Sequence, residues 1–267
     1  MPTPIDLLLD PVAQVILALY AGIFLWERLI PARTLPRVRW WQVRGLTAFA
    51  LYFLLSSYLP LLWDRHLARW QLADLSALGT WGGALVGLVL MELAIYAWHR
   101  AMHRHDGLWR ALHQMHHSAE RIDAASAFWF SPLDMIGWTL LSSLTLVLLV
   151  GLAPEASTLV MLATTFLAMF QHANIRTPRW LGRVIQRPEQ HRLHHGRGVH
   201  AYNYCDIAAI DMLFGSWRNP ADVAGPTGFH DGASARVIDM LRWRDVSTPA
   251  GPPAFDAALR PLGIRPD

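Results

Sequence analysis

The chain has no lysine, one cysteine and few charges of either sign. All 23 basic side chains are therefore arginines, and only 16% of the residues are charged, against roughly 25% in soluble domains. A lone thiol, Cys205, excludes an intrachain disulfide, a four-thiolate zinc site and a protein-held iron–sulfur cluster. Its expected role is a packed, inert side chain. There is no glycine-rich dinucleotide fingerprint and no appended haem domain, so nothing in the sequence carries electrons by itself. The first ten residues hold Asp6 and Asp10 in place of a basic stretch, and no cleavable signal is expected.

What is abundant is apolar sequence, at 53% of the chain. A helix needs about 20 apolar residues to cross a hydrocarbon core of about 30 Å. Runs of that kind cover 11–30, 44–63, 81–98, 134–152 and 156–172. The expectation is an all-α polytopic membrane protein with five crossings, or four if the last two runs, parted only by Ala153-Pro154-Glu155, dip in and return. Trp26, Trp40, Trp41, Trp63, Trp81, Trp98 and Trp138 fall near the ends of these runs, as an interfacial belt does. Arg28, Arg33, Arg37, Arg39 and Arg44 bracket the first loop, whereas the second balances Asp64 and Asp74 against Arg65 and Arg69. The positive-inside rule then makes the first loop cytoplasmic, and with it 99–133 and everything after 173. The membrane is expected to be the inner (plasma) membrane. A single domain is expected over 1–217, followed by a Pro-, Gly- and Ala-rich C-terminal tail over 218–267.

Thirteen histidines are present, and nine fall into four tight groups: His99 with His103; His113, His116 and His117; His172 alone; and His191, His194 and His195. Spacings of three and four residues set side chains on one helix face, and imidazole is the ligand of choice for iron, zinc, copper and nickel at neutral pH. All nine fall on the side expected to be cytoplasmic, although topology and histidine spacing are independent signals. Glu92 lies on the stripe of Tyr96 and His99, and an acid inside an apolar run usually serves a site or a partner. It could accept an imidazole N–H or pair with an arginine at the helix end. Asn174 could hold a water or a neighbouring imidazole. His66, His105, His200 and His230 stay outside the expected site.

One ion of four to six coordination cannot use nine imidazoles, whereas two ions with open positions can. Zinc would suit a membrane hydrolase, while a pair of irons could activate oxygen against an unactivated C–H bond. A transporter would set its ligands near the bilayer midplane on several helices, unlike these. Arg176, Arg179, Arg183, Arg187, Arg192 and Arg197 form a basic cluster better suited to anionic headgroups, or to an acidic protein, than to nucleic acid.

As an ordered set, His99-Arg-Ala-Met-His103, His113-Gln-Met-His-His-Ser118, Gln171-His-Ala-Asn174, His191-Arg-Leu-His-His195, Asn203-Tyr204 and Asp211-Met-Leu-Phe-Gly-Ser216 resembles the fatty acid hydroxylase/sterol desaturase superfamily. The resemblance covers roughly 92–217. It implies a membrane-embedded oxygenase in which the nine histidines hold two iron ions and Glu92 stands where relatives often have an acid. O2 and two electrons would hydroxylate or desaturate a lipid, and a separate ferredoxin- or cytochrome-type donor would supply the electrons. Sterol-type members often have Arg and His where this chain has Phe128-Trp-Phe-Ser131-Pro132, and Gly where it has Cys205, which argues against a sterol substrate.

Overall fold

A computed structural model describes residues 1–249. After a short α1 (Pro4–Leu9), α2 (Pro11–Leu29) starts where Asp10 accepts the N–H groups of Val12 and Ala13. Proline sits at its first position, where a missing N–H costs nothing. The long α3 (Trp41–Leu67) and α4 (Gly79–Arg104) follow. Short turns come next: α5 (Asp106–Leu108), a π-helical turn over Trp109–His113, and α6 (Gln114–His117). Ser131 caps α7 (Pro132–Ser143), which runs on as a π-helical stretch to Leu149. Then come α8 (Pro154–His172), α9 (Pro188–His194), α10 (Ala208–Leu213) and α11 (Val237–Leu241). Among the described residues the only β pairing is two isolated bridges.

Four helical stretches are long and apolar enough to cross a membrane: Pro11–Leu29, Trp41–Trp70, Ser76–Arg104 and Pro132–Leu149. Their flanks leave Leu25, Leu54, Leu61, Leu85 and Val89 exposed, a pattern suited to lipid and costly in water. The chain is an integral membrane protein. The fifth expected run is a full helix, α8, but polar residues at both ends, Glu155 and then Gln171 and His172, leave it outside that set. Four of the five expected runs thus meet the length and composition of a crossing, and α8 carries the chain back along the bundle.

Hydrogen bonds sort the connections to two ends of the bundle. At one, Leu72 N–H donates to Leu148 O (2.7 Å) and Leu75 N–H to Val150 O (3.0 Å), tying the second loop to the α7–α8 hairpin tip. At the other, Ala32 N–H donates to Asn174 O (2.8 Å) and the Asn174 amide to Arg33 O (2.8 Å). The first loop, the α4–α7 connection and the chain after α8 thus form one cap, the grouping expected from alternating crossings. Glu27 locks α2 to this cap by accepting the N–H groups of Ala124 (2.8 Å) and Asn174 (3.1 Å). Gly45 lets α3 touch the same layer, because any Cβ there would run into the backbone and methyl of Ala125.

Two expectations about this cap need correction. Trp41 is fully buried and donates to Asp123 (2.8 Å), so it belongs to the core, while Trp26, Trp40 and Trp81 remain exposed near helix ends as a belt requires. Residues 218–249 are packed: Phe229, Met240 and Val246 join the core around Trp129, and Gly228, at φ +76°, lies against the Ala119 carbonyl. The rest of the expected tail, 250–267, lies outside the described residues.

Candidate metal centre

Five elements carry the nine histidines to one place. α4 continues past its apolar stretch, so His99 and His103 emerge one turn apart. The π turn ends at His113, and α6 carries His116 and His117. His172 closes α8. Pro188 opens α9 and the Gln190 side chain accepts the Arg187 N–H (2.9 Å), so His191 and His194 share a face, with His195 at the end. The rings gather as two sets: His99, His103, His113, His117 and His194, and His116, His172, His191 and His195, with the ligand atoms of each set within 4.8 Å of one another.

Hydrogen bonds from the outer ring nitrogen aim seven of the nine rings; the Nδ1 atoms of His116 and His195 are buried without a partner. His99, His103 and His194 donate Nδ1–H to the carbonyls of Tyr204 (2.9 Å), His200 (2.9 Å) and Tyr202 (2.7 Å). His113 donates to Asp134 (3.0 Å), and the His117 Nδ1 lies 3.0 Å from that of His200. A carbonyl can only accept, which fixes the proton on Nδ1 and leaves Nε2 with a bare lone pair. All five Nε2 atoms of this set are buried without a partner.

The four-ring set is more telling. His172 donates Nδ1–H to Ala168 O (2.7 Å). His191 donates to Gln186 Oε1 (2.6 Å), whose amide is oriented by the carbonyls of Asn203 and Cys205. Their two Nε2 atoms nonetheless face each other at 2.9 Å, and the Nε2 atoms of His116 and His195 lie 3.1 Å from those of His172 and His191. Lone pairs at that distance repel unless a cation lies between them. Nitrogens about 2.1 Å from a common ion and at right angles around it would be about 3 Å apart. The residues present fit a metal ion in each set.

Burial, and after it the positive charge each ring would meet from its neighbours, holds His113, His116, His117, His191, His194 and His195 well below the ordinary imidazole pKa. They are neutral at pH 7, the form that binds metal.

Three of the accepting carbonyls come from one unusual loop. His200, Tyr202 and Asn203 adopt positive φ values of 40°, 71° and 49°, a conformation non-glycine residues hold only when their surroundings enforce it. Asn203 donates to Gln190 O and accepts the Arg218 N–H; Asp211 accepts the N–H groups of Tyr204 and Cys205. Glu92 contributes to the same brace. Its carboxylate accepts the Cys205 thiol (2.9 Å) and the N–H groups of Asp206 (3.0 Å) and Ile207 (3.3 Å), and among the described residues it bonds to no imidazole and no arginine. The expected imidazole contact is thus corrected: Glu92 acts on the site through the loop. Cys205 is buried as expected, its thiol pushed up by burial and by Glu92.

Other expectations shift as well. Asn174 turns away to the first loop, because Arg33 O and Glu27 claim its amide and N–H. His200, expected outside the site, stands against His117 and lends its carbonyl to His103. Asp134 and Gln186 went unnoticed in the sequence, where a lone acid at a helix start and a lone amide look like caps or surface. Asp134→Asn is expected to lower metal affinity by about 10- to 100-fold, the usual cost of removing the group that orients a metal-bound imidazole. Bound metal at matched protein concentration checks this; an unchanged value would make Asp134 a packing residue only.

A cavity runs from the apolar helices to these rings. Met91, Ile95, Met161 and Phe128 wall it, and its inner end meets rings of both sets, His99 and His113 from one and His116, His172 and His191 from the other. Asp206 reaches it too, with its carboxyl pushed well above the usual range by burial and by Glu92, and with Gln171 donating to it (2.9 Å).

Comparison with known proteins agrees with this geometry. Residues 84–216 match the fatty acid hydroxylase family. The chain is 31% identical over 141 residues to the ornithine lipid hydroxylase of Rhizobium tropici, covering 51% of this chain and 42% of that protein. It is 30% identical over 149 residues to the alkylglycerol monooxygenase of Danio rerio (54% and 31% covered) and 31% identical over 145 residues to that of Homo sapiens (52% and 31%). The chain thus spans less than half the length of each of these relatives. No solved structure matches it.

Proposed function

The chain belongs to the fatty acid hydroxylase superfamily, and on that premise we propose that it is a membrane-bound lipid oxygenase using O2 and externally supplied electrons. One observation carries the proposal: an apolar cavity within the membrane helices ends on rings of both histidine sets. Each set would hold one iron, His99, His103, His113, His117 and His194 the first, His116, His172, His191 and His195 the second. When bound, the iron pair supplies the redox chemistry by which O2 attacks an unactivated C–H bond.

The protein's own contribution is placement and exclusion. Met91, Ile95 and Met161 hold an alkyl chain with its reacting carbon at the cavity's inner end, and the closed packing of the cap keeps bulk water from that carbon. The 200–204 loop, Asp134 and Gln186 keep the imidazoles in one tautomer and one orientation. The relatives' names, hydroxylase and monooxygenase, favour oxygen insertion over desaturation and favour both over zinc-dependent hydrolysis.

A ferredoxin- or cytochrome-type donor would dock on the cap. Arg176, Arg179 and Arg183 are exposed there beside Trp180, whereas Arg187 is buried against Glu189 and Asn219 and takes no part. The arginines of the first loop favour the cytoplasmic side for this cap, and the membrane in this reading is the plasma membrane. Purified protein with an artificial reductant and 18O2 is expected to place labelled oxygen in a membrane lipid and to stop when oxygen is withdrawn. Turnover that continues without oxygen would point to hydrolysis.

A further inference from the structure

A second apolar groove opens on the outside of the bundle, between the first turns of α3, the start of α7 and the C-terminal α11. Its floor is Ala48, Met135 and Trp129, and its rim includes Val43, Leu51 and Leu241, each more than a third exposed. At the cap end stands Arg44. Its Nη1 is buried without a hydrogen-bond partner, and among the described residues no carboxylate lies within ion-pair distance of its side chain. The one acid of α11, Asp239, is already paired with Arg236 and Arg244. An unmatched guanidinium beside an open apolar trough calls for an occupant with a negative head and a hydrocarbon body.

The position within the fold selects the source. Arg44 lies in the first turn of a membrane-crossing helix, at the level where headgroups meet the cap, and the exposed Arg37 and Arg39 precede it on the first loop. We propose that this groove is a binding site for a bilayer phospholipid with a net negative headgroup, its phosphate on Arg44 and an acyl chain along Leu51 and Met135. The site is distinct from the reaction cavity but adjoins it: the Phe130 ring lines both, and packs on the His116 ring at 4.5 Å. The inference is independent of the reaction the iron centre performs.

Native mass spectrometry of the full-length, metal-loaded protein, titrated with phosphatidylglycerol or phosphatidylcholine of identical acyl chains, tests it. One phosphatidylglycerol is expected to bind about tenfold more tightly than phosphatidylcholine, the scale of a charge-assisted contact at a membrane surface. Arg44→Gln should erase that preference, Thr47→Trp should block the groove from its exposed edge and lower binding of both lipids, and Arg39→Gln should change neither. Unaltered iron content verifies that each variant is folded. Equal binding of the two lipids by the unsubstituted protein, or a preference that survives Arg44→Gln, overturns the proposal. So does the absence of a retained lipid, as when a second copy or another part of the chain covers the groove.

Discussion

Alanine in place of His172 is expected to abolish turnover and to remove about one of two metal ions per chain. The four-ring set has no ligand to spare: His172 Nε2 sits between those of His191 (2.9 Å) and His116 (3.1 Å), so its loss opens the middle of the set and leaves three imidazoles around an ion that needs four to six donors. The five-ring set should stay loaded, because its members are aimed by the 200–204 carbonyls and Asp134, none of which touches His172. His194→Ala gives the complementary outcome. Four rings remain in that set, so much of the metal should be retained while turnover falls by about 100-fold or more. Metal content per chain, measured beside product formation, separates the two. Equal metal loss from both variants would mean that the nine rings act as one site.

The second large effect is expected from the cavity. Thr164 is buried on α8 where that helix faces the space between the bundle and the rings, and its hydroxyl is spent on the Val160 carbonyl (3.1 Å), so its side chain contributes only bulk. Thr164→Phe adds a ring to that space without approaching a hydrogen bond of either histidine set. Displacing a reacting carbon by about 1 Å can cost about 100-fold, and product formation should fall at least that far with iron content unchanged. Leu62→Phe, on the exposed side of α3, should leave turnover intact. Full activity in Thr164→Phe would mean that substrate reaches the rings by another route.

The ligand set was legible in sequence because imidazoles at spacings of three and four have few other reasons to cluster. Its partition was not. His116 and His117 are adjacent yet serve different sets, since neighbours on a helix point about 100° apart, while His113 and His117, one turn apart, share a set. The acceptors that fix the tautomers were hidden for a different reason: four are backbone carbonyls, which no residue type announces. Asn203-Tyr204 and Asp211 did stand out as motif residues, but only the fold explains them, as braces for a loop with three positive φ values. Arg187 shows the limit of reading charge from a list. It looked like surface among five neighbours and is instead a buried strut between Glu189 and Asn219. Membrane helices were clear from composition, whereas α8 blurred the count because its C-terminal end serves the site: Gln171 and His172 are polar for chemical reasons and cost it apolar length.

Everything turns on two cations filling the two sets of facing lone pairs. Metal analysis of the protein purified anaerobically from unsupplemented cells measures this directly. The expected result is about two irons per chain, falling to about one in His172→Ala. Zinc in their place, or a single ion shared by all nine imidazoles, would contradict the account.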